Sequence, residues 1–134
     1  MPTTPCAYDY AVIRVVPRVE REEFINVGVI LSCPAHDYLD ACVQLDRGRL
    51  LALFPDVDAE LVQQHLDAIP TICRGDTAAG PIAQLSQRQR FYWLVAPRST
   101  IIQTSSVHTG LSDDPAGTLQ HLMRTMVHRA PRKD

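Results

Sequence analysis

The residues best suited to chemistry in this chain cluster near its C-terminal end: Ser105, Ser106, His108, Asp113 and Asp114, within the stretch RFYWLVAPRSTIIQTSSVHTGLSDDP at 90–115. A hydroxyl, an imidazole and a carboxylate can together activate an oxygen nucleophile. Such triads are defined by geometry in space, however, and the turn G-x-S-x-G that exposes a nucleophilic serine is absent. The same residues also read as a strand-to-helix turn, in which His108 bonds to backbone and Gly110 supplies a positive φ angle. Asp114 then caps a helix that has Pro115 at its first position. His108 and Asp114 are the catalytic candidates, and turn and capping chemistry accounts for most of what they do.

A second constellation places Arg88, Arg90 and Arg98 around Phe91, Tyr92 and Trp93, the last being the only Trp. Guanidinium groups interleaved with aromatics can neutralise phosphates and stack bases. Strand alternation offers a plainer account: Phe91, Trp93 and Val95 point into the core and the arginines are solvated edges. Arg14, in an otherwise apolar segment, reads as a strand-end side chain snorkelling to water, or more sharply as a charge reaching into a cleft. Of the five histidines, His65 borders an apolar stripe, and His121 and His128 share a helix face two turns apart, too far for one ion. No H-E-x-x-H, EF-hand, paired Cys/His, G-x-x-x-x-G-K-[ST] or G-x-G-x-x-G pattern occurs. No metal and no cofactor is expected.

These side chains must be positioned by a single domain over 1–134, with ends at about 1–6 and 130–134 expected to be disordered. Apolar residues make up 46% of the chain and charged residues 21%, a composition that folds. No apolar run is long enough to span a bilayer, and no basic region followed by an apolar stretch opens the chain, so a cytoplasmic setting is expected. Cys6, Cys33, Cys42 and Cys73 are irregularly spaced, with no C-x-x-C pair, and read as reduced structural thiols. The net charge of −2 divides into −6 over residues 1–67 (five Arg, eleven Asp/Glu) and +4 over 68–134 (eight Lys/Arg, four Asp). Nucleic acid is permitted by that asymmetry and not demanded.

Residues 8–16 form the first strand, apolar on both faces and therefore central. Residues 26–33 form the second, with Val27, Val29, Leu31 and Cys33 on one face and Gly28 marking a bulge or a close approach. Residues 39–45 alternate cleanly and complete a meander. A short apolar helix spans 49–54, and Asp56 caps a second helix carrying the stripe Val57, Leu61, Val62, Leu66 and Ile69. The stretch 71–81 is loop, and 82–89 a short helix. Residues 91–96 and 101–107 form a hairpin, and a last helix follows Asp114 with Leu119, Leu122, Met123, Met126 and Val127 inward. The fold class is α+β, an antiparallel sheet of about five strands (three-stranded meander, then a hairpin) with helices on one face.

Two runs resemble the bacterial family catalogued as domain of unknown function 3037. One is E-x-x-N-V-G-V-I-L, here Glu23, Asn26, Val27, Gly28, Val29, Ile30 and Leu31. The other is Pro97-Arg98, Val107-His108, Gly110 and Asp114-Pro115. The resemblance extends from Tyr8 to Val127. It implies a small cytosolic bacterial protein with no established activity, and genes of the family often lie beside one for a HipA-like kinase, which implies a protein partner.

The functional expectation is a non-enzymatic binding or accessory module acting through a partner protein, with Arg14, Asn26, Arg98 and His108 as the binding candidates. Two alternatives stand beside it. One is a small hydrolase or nucleic-acid-processing enzyme using His108 with nearby Arg and Asp. The other is a nucleic-acid-binding domain using Arg88, Arg90, Arg98 and the aromatics.

Overall fold

A computed structural model describes residues 4–98 and 100–128; residues 1–3, Ser99 and residues 129–134, which include half of the N-terminal end and all of the C-terminal end expected to be disordered, lie outside the described residues. Strand β1, Cys6–Val15, is the centre of the molecule. On one side it pairs antiparallel with β2, Ile25–Cys33, which in turn pairs antiparallel with β3, Tyr38–Val43. On its other side β1 pairs antiparallel with two short strands in succession, β4 (Ile102–Thr104) and β5 (His108–Ser112). The five strands form one antiparallel sheet, as the α+β reading requires. Cys6 is part of it, half-buried and facing Ser112.

Strands β4 and β5 behave as two halves of one bulged strand. Ile13 faces Thr104 and Tyr10 faces His108, so three steps along β1 match four along the opposing chain. The extra residue is absorbed after Ser105, whose amide donates to the carbonyl of Val12 (2.8 Å) and whose hydroxyl accepts from the amide of Val12 (2.9 Å). The side chain replaces the ladder bond that the insertion breaks, so no buried donor is orphaned there.

Strand β2 carries a bulge at nearly the same height. Ile13 faces Gly28 but Arg14 faces Asn26, which makes Val27 the inserted residue. Ile25, Val27 and Ile30 consequently share one core, while Val29, Leu31 and Cys33 enter another. The grouping of Val27 with Val29, Leu31 and Cys33 is corrected, because an unbroken period of two does not register an insertion. Gly28 makes the anticipated close approach as well: a Cβ there would collide with the carbonyl oxygen of Cys42.

Helices cover both faces of the sheet, not one. Helices α1 (Arg47–Leu53), α2 (Ala59–Cys73) and α3 (Gln87–Val95) bury Leu50, Val62, Leu66, Phe91 and Leu94 against Ile13, Val15 and Ile30. Helix α4 (Pro115–Met126) buries Leu119, Leu122 and Met123 against Val29 and Leu31 on the opposite face. The two-sided apolarity of β1 follows from this.

Three local readings change. Helix α2 is capped by Asp58, which accepts from the amide of Leu61 (3.1 Å), not by Asp56, and it continues past Pro70 to Cys73. Leu61 is left outside the buried stripe, 47% exposed. Residues 91–95 are helical and Ala96 is the C-cap. Ser86 and Gln89 form a reciprocal capping box (3.3 and 3.2 Å) that starts α3, and the helical spacing turns Phe91 and Leu94 inward while Trp93 stays 40% exposed. The fourth strand is therefore not 91–96: the last two strands come from 102–112, and both lie against β1. His108 and Gly110 belong to β5 and not to a turn. Gly110 does not take a positive φ; a Cβ there would meet the phenol of Tyr8 at 2.5 Å.

Candidate functional site

The bulges on either side of β1 align three polar side chains across the sheet: Asn26 on β2, Arg14 on β1 and Gln103 on β4 are register partners. Asn26 donates from Nδ2 to the carbonyl of Met126, in the last turn of α4 (3.1 Å). Gln103 donates from Nε2 to the carbonyl of Thr100 (2.9 Å). Arg14 lies with its guanidinium 4.1 Å above the ring of Phe24. Its Nε and the Oδ1 of Asn26 are buried without a hydrogen-bond partner among the described residues. The row combines a stacked guanidinium with two carboxamides, a set able to recognise carboxylates and peptide groups.

The other two binding candidates lie elsewhere. Arg98 donates from Nη2 to the carbonyl of Trp93 (2.5 Å) and from Nη1 to that of Leu94 (3.3 Å), with its guanidinium 4.4 Å above the Trp93 ring. It thereby closes the C-terminus of α3, where carbonyls lack helical partners. His108 is exposed on β5, its ring 5.3 Å from that of Tyr10. Arg14 and Asn26 adjoin, while Arg98 and His108 stand apart from them.

The residues of the proposed triad have other uses. Asp114 accepts from the amide of Gly117 (3.1 Å) as the cap of α4. Ser105 is buried and its hydroxyl serves Val12 and the carbonyl of Ser106. Ser112 is engaged with Thr118 (2.6 Å) and with the amide of Asp114. No hydrogen bond joins His108 to a hydroxyl or carboxylate among the described residues, so the geometry of an activated nucleophile is not assembled. Three of the thiols offer no alternative. Burial holds those of Cys33 and Cys42 above their ordinary range and pushes that of Cys73 up to about 12.

The arginines beside the aromatics are not solvated edges. Arg88 donates to Asp9 (2.5 Å), Ser32 (2.9 Å) and Tyr92 (3.2 Å), and Arg90 donates to the carbonyls of Leu85 (2.6 Å) and Cys73 (3.4 Å). With Arg98 bonded to the last carbonyls of α3, all three are tied to their own chain.

What the chain presents outward is the sheet edge formed by β4 and β5. Leu111 on β5 is 74% exposed, the most exposed of the large apolar side chains among the described residues, and Val107, just ahead of the strand, is 42% exposed. Along the β4 half, a groove of about 290 Å³ opens between the strand and α2, lined by Ile69, Ile72, Trp93, Leu94, Ile102 and Thr104 among others, with His65 and Arg98 as its titratable groups. Neither Leu111 nor this groove was singled out by sequence. Leu111 is one apolar residue in an irregular segment, and only pairing to β1 shows that no described residue covers it.

The family described as protein of unknown function (DUF3037) matches residues 10–127, most of the chain. No curated protein and no solved structure matches.

Proposed function

We propose that this chain, which belongs to the DUF3037 family, is a non-enzymatic binding module that acts through a partner protein. The reading is carried by Leu111, 74% exposed on a strand whose outer side pairs with no other strand among the described residues. Proteins guard such edges with Lys, Pro, inward charges or covering loops, because unpaired backbone groups recruit other strands. Strand β5 reads His-Thr-Gly-Leu-Ser, without Lys, Pro or a carboxylate, so only its shortness and the bulge after Ser105 limit pairing there. An apolar side chain on such an edge suits strand addition, in which backbone bonds contribute affinity and alternate side chains contribute specificity.

The chemistry-bearing residues favour the same reading, since Ser105, Asp114, Arg88, Arg90 and Arg98 are occupied in holding the fold. A bacterial cytoplasmic setting suits the four free thiols. The first partner to test is a HipA-like kinase. Tagged wild-type protein is expected to co-purify with such a kinase from the same cytosol, and Leu111→Asp to lose it while remaining folded. Recovery of the kinase by neither protein, or by both equally, would sink the proposal.

A further inference from the structure

We infer that the groove between α2 and β4 is a docking site for an extended peptide that places an apolar side chain inside it and a carboxylate near Arg98. This rests on the partner-protein reading and names the chemistry that the partner would bring to the β4 half of the same edge.

Backbone pairing sets the edge. The carbonyl of Ile101 accepts from Val16 and the amide of Ser105 donates to Val12, both toward β1. Antiparallel alternation then turns the amides of Ile102 and Thr104 and the carbonyl of Thr104 to the open side. The outward carbonyl of Ile102 is already taken by the hydroxyl of Thr100 (2.8 Å). The Thr104 end is thus where an added strand finds both a donor and an acceptor.

Side chains set the specificity. Ile102 and Thr104 face the same side of the sheet as Ile13 and Val15, their register partners, and Ile69, Ile72 and Leu94 complete an apolar lining. The groove, at about 290 Å³, has room for a bulky aliphatic side chain. Among the described residues no carboxylate lines it, while His65 and Arg98 do. Arg98 uses one donor from each terminal nitrogen on helix carbonyls, and a guanidinium has five, so donors remain for an anion. The charge complement is a peptide carrying an acidic residue or its own C-terminal carboxylate beside the apolar one.

Trp93 lines the groove and is the only Trp of the chain, so its fluorescence reports occupancy directly. The probe is a short synthetic peptide of alternating leucine and threonine with a free C-terminal carboxylate. It is expected to shift Trp93 emission saturably and to bind about tenfold more weakly as its C-terminal amide. Replacing its central threonine by proline is expected to abolish the shift, as is Ala68→Glu, a change at an exposed groove position on α2. Leu111→Asp should bind the peptide as wild type does. An unmoved emission, or equal binding by Ala68→Glu or by the proline peptide, overturns the site. Loss of kinase capture with intact peptide binding would count against the partner alone, and capture through Leu111 with a silent Trp93 against the groove alone.

Discussion

The guanidinium of Arg88 on α3 meets the carboxylate of Asp9 on β1, Nη2 to Oδ2 at 2.5 Å, and its Nη1 donates to Ser32, the register partner of Asp9 on β2. One side chain thereby ties a helix to two adjacent strands. The pair is partly exposed, so its worth is reduced by solvent screening. Arg88→Met should lower unfolding free energy by about 1–2 kcal/mol. Asp9→Asn should cost a similar amount, and the double variant less than the sum, as urea denaturation of the four proteins in a cycle would show. Strict additivity would mean that the two side chains do not act together.

Gly28 and Gly110 should respond differently to alanine. At Gly28 the new methyl meets the backbone carbonyl of Cys42, which can yield only if β3 shifts; at Gly110 it meets the phenol of Tyr8, the far end of a side chain. Thermal or urea unfolding should show Gly28→Ala costing about 2–3 kcal/mol and Gly110→Ala distinctly less. A Gly110→Ala cost as large as that of Gly28→Ala would mean that Tyr8 is unable to move.

Ser105 and His108 give a second contrast. Ser105→Ala removes the acceptor for the buried amide of Val12 and should cost about 1–3 kcal/mol. His108→Ala removes an exposed side chain and should change stability by no more than about 0.5 kcal/mol. Equilibrium unfolding of both variants checks the pair; a large loss on His108→Ala would point to a role that its exposed position does not explain.

Alkaline pH should destabilise the fold through Cys73. Burial pushes its thiol up to about 12, whereas in the unfolded chain it ionises near its ordinary value of about 8.5. A raised folded pKa contributes stability that is fully present below the unfolded value and is lost as pH rises toward the folded one. Between about pH 8.5 and 12 this one group should remove about 1.4 kcal/mol per pH unit. Tyr38, also pushed up to about 12 by burial with help from Asp40, adds to the fall at the upper end. Denaturation from pH 8 upward should therefore show a shallower decline for Cys73→Ala than for wild type, and parallel curves would remove Cys73 as the cause.

The α+β class was legible because its signals are local. The two-sided apolarity of β1, the alternation of β3, and Asp114-Pro115 ahead of a regular apolar stripe each depend on residues within one or two turns of each other. The capping box Ser86–Gln89 was equally local, and the strand assigned to 91–96 came from weighing the alternation of Phe91, Trp93 and Val95 above it. Five residues of aromatic and aliphatic character satisfy both periods, so only the cap arbitrates.

Whatever depends on which strand lies beside which had to wait for the tertiary structure. The insertion at Val27 is marked in the sequence only by Gly28 and the one after Ser105 not at all, and neither disturbs the period; only pairing shows that Arg14 stands between Asn26 and Gln103. Arg88, Arg90 and Arg98 look alike in sequence, and only their distances to Asp9 and to helix carbonyls show what each of them holds in the fold. Exposure is the clearest case. Whether Leu111 is core or surface depends on what packs over it, and the packing of residues distant in sequence is a property that no single segment encodes.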